Sequence, residues 1–537
     1  MARDLKPSRS DEPADEAPDE PADEALRART EDEDRAQRAA LPVTVTALVA
    51  VLLAGALLCW AVMYGLLGMK LMIFDMPSRE CSGSDCPRGM LPVWLLAVAF
   101  GFAFAPMARF AWKWAEKTLS SRGMAVVAAL GVLAAVWPGW LGYAWLRGPH
   151  MDVAWEVGRD RPSSVRVLGY WAPDSSTVVR ARSDGLRAYD TAQGKVRWSF
   201  SAPARFSVCA LSRTTPSGVG LVGFGRHNES CGTSVAAVDL ASGRTLWTKT
   251  MAPSEEAARS ETAVLTSAGS TAVARRGDAI VGLALRDGSE RWRLDVPRNC
   301  EARNVEAAED WVLVVEECAD ESFSAVTMQL SAVDAQSGRR LWRSELPTGS
   351  PAQTVQVLSA DPIALYVAET DERGTNGVVT FDDTGHQRAV IPVSGPDEDL
   401  AFMPYGTTFA TPTGVPLFQA VVSRGLFITV AKDAQDRPQG LSAYSLTDGR
   451  RVWHTSFEDR IVALSPGRSG EVDVVTSMTW NRLWSVDARS GDQEGEAVVL
   501  RDAPLSDLFD VRLRPHSGYV FVNLDEDSDK PALFAVD

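Results

Sequence analysis

One phrase recurs along this chain: Ala-x-Asp-x-x-x-Gly-x-x-x-Trp. It reads AYDTAQGKVRW at Ala188–Trp198, AVDLASGRTLW at Ala237–Trp247 and AVDAQSGRRLW at Ala332–Trp342. The fixed positions are Asp190, Gly194 and Trp198, then Asp239, Gly243 and Trp247, then Asp334, Gly338 and Trp342. Looser copies carry Gly288 with Trp292 and Gly449 with Trp453, with Ala284 and Ser445 in place of the Asp. The first four tryptophans are spaced by 49, 45 and 50 residues. A period of that size, with strand-turn-strand texture in each unit, is the mark of a β-propeller.

Each fixed residue has a physical task. The stretch before the Gly alternates or runs apolar, as a strand does. The Asp carboxylate can accept N–H bonds from the turn that follows it. The Gly suits a backbone position with positive φ. The Trp ends a second strand, where an indole can bury roughly 150–250 Å². At about 25 cal/mol/Å² that is on the order of 4–6 kcal/mol, an upper bound, and one such anchor per blade would hold it to its neighbour.

The phrase resembles the tryptophan-docking repeat of the pyrroloquinoline-quinone (PQQ) propeller superfamily, over about Trp155–Asp537. That superfamily includes quinoprotein alcohol dehydrogenases and cofactor-free relatives, so the resemblance implies a fold and leaves the activity open. Turn glycines fall at Gly194, Gly243, Gly288, Gly338, Gly385, Gly449 and Gly491. The sequence then reaches LFAVD (Leu533–Asp537), the strand before an eighth turn without the strand after it. AWEVGRD (Ala154–Asp160) reads like the missing strand, with Trp155 as its anchor. The expected fold is therefore an all-β, eight-bladed propeller closed by the N-terminal strand, at about 48 residues per blade over 383. Two copies are degenerate, with Ala389 and Gly495 at the Trp position.

Upstream the chain is a different material. Residues 1–40 carry 13 acidic and 7 basic residues and a tandem octapeptide, DEPADEAP then DEPADEAL. This stretch has too little apolar surface to offset ordering, and a disordered, acidic cytoplasmic tail is expected. Three uncharged stretches follow: Leu41–Met69, Met90–Ala108 and Gly123–Leu146. Each can cross a hydrocarbon core of about 30 Å as a helix, and Trp112, Trp114, Trp137, Trp140, Tyr143 and Trp145 stand at their ends. A cleaved leader does not fit, since the first stretch is too long and lies behind the tail. The expected organisation is a tail at 1–40, a membrane domain at 41–147 and a propeller at 151–537.

Three spans put the termini on opposite sides of a bilayer. Basic residues slightly favour a cytoplasmic N-terminus, with Arg27, Arg29, Arg35 and Arg38 before the first span and Arg109, Lys113, Lys117 and Arg122 after the second. The cysteines agree. Cys81 and Cys86 bound the short loop CSGSDC, and Cys209, Cys231, Cys300 and Cys318 lie in the repeat region. Disulfides Cys81–Cys86, Cys209–Cys231 and Cys300–Cys318 are expected, on an oxidising, extracytoplasmic side. The middle of 300–318 reads as a hairpin turning near Glu309 and Asp310, which sets its two sulfurs opposite each other. Arg outnumbers Lys 46 to 8, a bias that accompanies GC-rich genomes and points to an actinobacterial plasma membrane.

Chemistry is sparse in the pattern. None of the histidines His150, His227, His386, His454 and His516 pairs at metal-ligand spacing, and each reads as a loop or surface residue. Neither a G-x-S-x-G elbow nor a phosphate-binding loop occurs. Asp525, Asp527 and Asp529 open like a calcium loop, but Lys530 and Val536 stand where Gly and Glu belong. The quinoprotein members carry an adjacent Cys-Cys pair and a calcium constellation; this chain has no Cys-Cys pair. No catalytic, cofactor or metal residues are therefore expected. The formal charge of −16 argues against nucleic acid. The expected function is a non-enzymatic binding or scaffold module at the cell envelope, the alternatives being a ligand sensor signalling through the membrane helices and a PQQ-dependent dehydrogenase; the expected partners are the bilayer, through the three helices, and a protein or cell-envelope partner on the outward propeller loops. Gly148–Ala154 is a short link that would keep the opposite face near the lipid.

Overall fold

The computed structural model describes residues 20–73, 89–162, 165–226, 231–251, 265–320, 326–371, 373–401, 419–478, 480–505, 509–513, 518–524 and 529–537. They form two compact units, Met1–Gly148 and Pro149–Asp537.

The first unit holds three helices, α1 (Glu20–Ile73), α2 (Met90–Ala115) and α3 (Ser121–Arg147). By length and composition Val43–Ile73, Met90–Ala115 and Ser121–Arg147 can each cross a membrane. The tail divides in two: residues 1–19 lie outside the described residues, and from Glu20 the chain is helical. Ala, Glu and Arg dominate that half, and all three are strong helix formers. Small residues let α1 and α3 meet closely. Gly131, Ala135 and Gly139 are buried at four-residue spacing on α3, and a Cβ on Gly131 would strike the Leu52 carbonyl, as one on Gly55 would strike that of Ala128. Such close approach is what draws apolar helices together where no hydrophobic effect separates them from their solvent. Across the same seam Trp60 Nε1 donates to the Ala135 carbonyl (2.8 Å) and the Tyr64 hydroxyl to that of Gly139 (3.0 Å).

The second unit is a β-propeller whose sheets are antiparallel apart from one parallel pair. Among the described residues five sheets have four strands, one has five and one has eight. The first runs Val167–Asp174, Thr177–Arg182, Gly185–Asp190 and Val196–Ser201, each strand beside the next. The leading strands of the first five sheets adjoin one another in succession and form the inner wall. The fourth strands, which carry the repeat tryptophans, lie outermost. Burial follows this order: Thr177–Arg182 is buried at every position, whereas Val196–Ser201 alternates towards solvent.

The core sits between sheets rather than inside one. Val179, Ala188 and Trp171 of the first sheet pack with Val222, Phe224 and Val238 of the second, and the pattern repeats down the chain. In the eight-stranded sheet, the strand His150–Val157 lies between two groups of strands. Its first residues run parallel to Val498–Arg501, and its later ones pair antiparallel with Leu533–Val536, Trp155 opposite Ala535. Beyond that pair, Val520, Val522 and Leu533 pack on Tyr170, Val178 and Tyr189 of the first sheet. Asp160 pairs with Arg180 and Arg182, and the buried Arg180 also donates to the Asn523 carbonyl (2.6 Å).

Candidate functional site

The repeat residues are brought together between sheets. The Trp155, Trp198 and Trp247 indoles donate to the carbonyls of Thr191 (3.1 Å), Leu240 (3.0 Å) and Leu285 (2.8 Å). Trp292, Trp342 and Trp453 donate to those of Ala335 (2.9 Å), Asp383 (2.8 Å) and Ala488 (3.0 Å). Each acceptor opens the turn of the following repeat, and the ring then lies against that turn's glycine. A Cβ on Gly194, Gly243, Gly288 or Gly338 would stand 2.5–2.9 Å from the indole carbons of Trp155, Trp198, Trp247 or Trp292. The same glycines have φ of 67–72°. Two demands, a left-handed backbone and a flat floor for an indole, thus fall on one residue. Gly449 has φ 71° but meets Ala389, the degenerate copy, in place of a ring.

The aspartates close the turns. Asp190 Oδ1 accepts from the N–H groups of Ala192 and Gln193, Asp239 Oδ1 from Ser242, and Asp334 Oδ1 from Gln336 and Ser337. Hydrogen bonds from Arg197, Ser242 and Ser337 respectively hold these carboxyls below the usual range. The recurring residues are thus occupied with packing.

Cys209 and Cys231 have their sulfurs 1.94 Å apart, and Cys300 and Cys318 2.05 Å apart. Cys300 faces Cys318 in the register of Cys300–Ala307 against Trp311–Ala319. Cys81 and Cys86 lie outside the described residues, as do Asp525 and Asp527.

Two polar constellations were not legible in the repeat. One lies at the inner wall. Arg213, just past the strand Phe206–Leu211, reaches Glu306 (3.0 Å) and donates to the carbonyls of Val357 (2.9 Å) and Leu358 (3.0 Å). One side chain thereby links the inner strands of the second, fourth and fifth sheets. Burial pushes the Glu306 carboxyl up, opposed by Arg213, the Ala307 N–H and the Thr266 hydroxyl.

The other borders a cavity of about 760 Å³ on the sixth sheet, whose last three strands are Leu426–Lys432, Gly440–Ser445 and Arg451–Ser456. At its wall Glu398, with a side chain 6% exposed, accepts from Tyr444 Oη (2.5 Å) and Ser442 Oγ (2.8 Å). His454 Nδ1 lies 3.0 Å from Glu398 Oε2 and Arg451 Nη1 3.3 Å from Oε1. Burial alone would raise the Glu398 carboxyl, but the bonds from His454, Tyr444, Ser442 and Arg451 outweigh it and hold it at about 2. Burial and the Glu398 bond push the Tyr444 hydroxyl up. His454, read from sequence as a loop or surface residue, is exposed but lies on an outer strand, against a buried acid. The only trace in sequence is alternation: Ser442 and Tyr444 share one strand face, and His454 and Ser456 share another. Glu398 comes from a connection that no periodicity announces.

Sheets packed around an inner wall and tied by indoles seated on the next turn define a propeller of the tryptophan-docking kind. Residues 232–415, about a third of the chain, match the PQQ-repeat family described as outer membrane protein assembly factor BamB. Solved structures with a similar arrangement include BamB from Moraxella catarrhalis, at 14% identity and a TM-score of 0.39, covering 72% of this chain and 97% of that one. A europium-containing methanol dehydrogenase is 11% identical (TM-score 0.43; 69% and 84% covered). The quinohemoprotein alcohol dehydrogenase ADHIIG from Pseudomonas putida HK5 is 9% identical (TM-score 0.45; 72% and 76% covered). No curated protein sequence matches the chain.

The superfamily includes quinone-binding members, and the residues here can be tested against that cofactor. The sequence lacks an adjacent Cys-Cys pair. Among the described residues no three His, Cys, Asp or Glu side chains converge as a metal set. The inner wall is bridged by Arg213, whose guanidinium is committed to Glu306 and two carbonyls. Among the described residues the Arg213 guanidinium is thus held by protein partners.

Proposed function

We propose that this protein is a membrane-anchored, extracytoplasmic binding or scaffold module of the cell envelope. Three helices anchor it in the plasma membrane, the N-terminus is cytoplasmic, and the propeller is an eight-bladed ring completed by His150–Val157. The observation that carries the reading is the use of the polar inner residues. Arg213 ties three inner strands to one another, which leaves contact with partners to the loops and to the cavity beside Glu398. Rigid scaffolds display binding residues on such loops. The match of residues 232–415 to a family named for an assembly factor supports a protein partner, and the even number of cysteines in the repeat region supports an oxidising side.

The test is site-specific photo-cross-linking in cells from the full chain, with the photoreactive residue at Ala434, exposed on the cavity rim. A discrete envelope protein captured there, and not from a buried control at Ala443, is the expected result. Calcium-dependent dye reduction by the purified protein with PQQ and an alcohol would overturn the reading in favour of a dehydrogenase.

A further inference from the structure

Ser456 stands beside His454 on the outer strand of the sixth sheet, and its hydroxyl lies 3.1 Å from His454 Nε2. On the other side of the ring, Nδ1 faces Glu398 Oε2 at 3.0 Å. Glu398 and Ser442 stand at Nδ1, so with the Nδ1 proton directed to the acid, Nε2 is the nitrogen that faces the serine hydroxyl. Ser, His and acid are thus in line, in the order that acyl-transfer enzymes use on unrelated folds. Ser442 also touches Nδ1 (2.8 Å), but it is fully buried and lies on the acid's side of the ring. Ser456 is exposed and, with His454 and Glu398, lines the 760 Å³ cavity.

The backbone adds a donor. Phe457 N–H bonds inward to the Gln439 carbonyl, and Ser456 faces Gly440 in the next register. The ladder alternates, so the Ser456 N–H points away from its neighbouring strand. Among the described residues no strand covers that edge. A carbonyl oxygen turning to oxyanion above Ser456 would meet this N–H.

We infer that Ser456, His454 and Glu398 form an acyl-transfer site whose substrate is a small polar carboxylic ester. Ser456 Oγ attacks the ester carbonyl while its proton passes to His454 Nε2. The C–O bond to the alcohol breaks, and the alcohol leaves with that proton. Water then attacks the acyl-Ser456, its proton again taken by Nε2, and the carboxylic acid departs from regenerated Ser456. Glu398 orients the imidazole and stays ionised throughout. Lys432, Arg437 and Arg451 share the cavity wall with Asp397 and Asp433, a nearly balanced lining that suits a polar rather than a greasy ester. The inference is independent of any protein partner, and its test does not depend on one.

The experiment treats the detergent-solubilised full chain with a fluorophosphonate probe and, separately, with p-nitrophenyl acetate. A label mapped to Ser456, with both label and ester turnover abolished in Ser456→Ala, is expected. Ser456 is exposed, so this variant should melt with the wild type, which a thermal scan checks. Glu398→Gln should keep the label but slow turnover by about a hundredfold. An unlabelled Ser456, or ester turnover equal in Ser456→Ala and wild type, overturns the inference.

Discussion

Single side chains here settle large terms. Trp198 illustrates the packing one: its ring covers Gly243 and its N–H reaches the Leu240 carbonyl, both in the next sheet. Trp198→Ala removes an aromatic body from a contact that cannot collapse, because both walls are β-sheet. The expected cost is about 3–5 kcal/mol, read as a lower denaturant midpoint with an unchanged slope. Asp473 illustrates the electrostatic term. It is 5% exposed, and burial pushes its carboxyl up to about 6 despite a hydrogen bond from Tyr519, with Glu471 raising it further and Arg468 opposing. A raised carboxyl favours the folded state while it is protonated. That stability is fully present below the ordinary value of 3.8 and is lost as pH rises through 6. Above pH 7 the loss is about 3 kcal/mol. Asp473→Asn should therefore raise the melting temperature at pH 7.5 and leave it nearly unchanged at pH 4. An equal shift at both values would point to packing instead of charge.

At the scale of the element, the strand His150–Val157 belongs to two neighbours at once, parallel to Val498–Arg501 and antiparallel to Leu533–Val536. Trp155 rests on Gly194, and Asp160, just beyond the strand, holds Arg180 and Arg182. Removing residues 151–162 would strip a sheet edge, an indole anchor and the counter-charge of the buried Arg180. Chymotrypsin should then cleave the whole repeat domain of the shortened chain at rates that leave the intact protein uncut. Resistance equal to wild type would show that the strand is an accessory. This element was readable from sequence because its two cues, an orphan Trp155 and a lone strand at Leu533–Asp537, are local patterns with a known complement. The helices were readable for the same reason, although α3 begins at Ser121 and α2 runs on to Ala115. The cavity was not. Glu398 and His454 stand 56 residues apart, and their meeting depends on how a connection folds over a sheet face. Arg213 and Glu306 likewise meet only because inner strands of different sheets converge. Periodicity reports what repeats, and a site that occurs once leaves no period.

For the molecule as a whole, membrane topology has a chemical handle. The repeat domain holds two cysteine pairs at bonding distance, while Cys59 lies alone in α1. If the propeller is extracytoplasmic, both pairs are oxidised in the cell, and Cys81 with Cys86, on the same side of the bilayer, forms a third disulfide. Intact cells are first treated with a membrane-permeant maleimide, then lysed in denaturant, reduced and treated with a second, heavier maleimide. Mass mapping should find the first reagent on none of Cys81, Cys86, Cys209, Cys231, Cys300 and Cys318, and the second on all six. The physical reason is compartmental: cytoplasmic thiol buffers keep thiols reduced, and the oxidising side keeps stable disulfides closed. First-reagent labelling at Cys209, Cys231, Cys300 and Cys318 would put the propeller in the cytoplasm and invert the topology. Labelling at Cys81 and Cys86 alone would leave the propeller outside and remove only the loop disulfide. If all three helices cross the membrane, that loop and the propeller share one face, and the two outcomes separate.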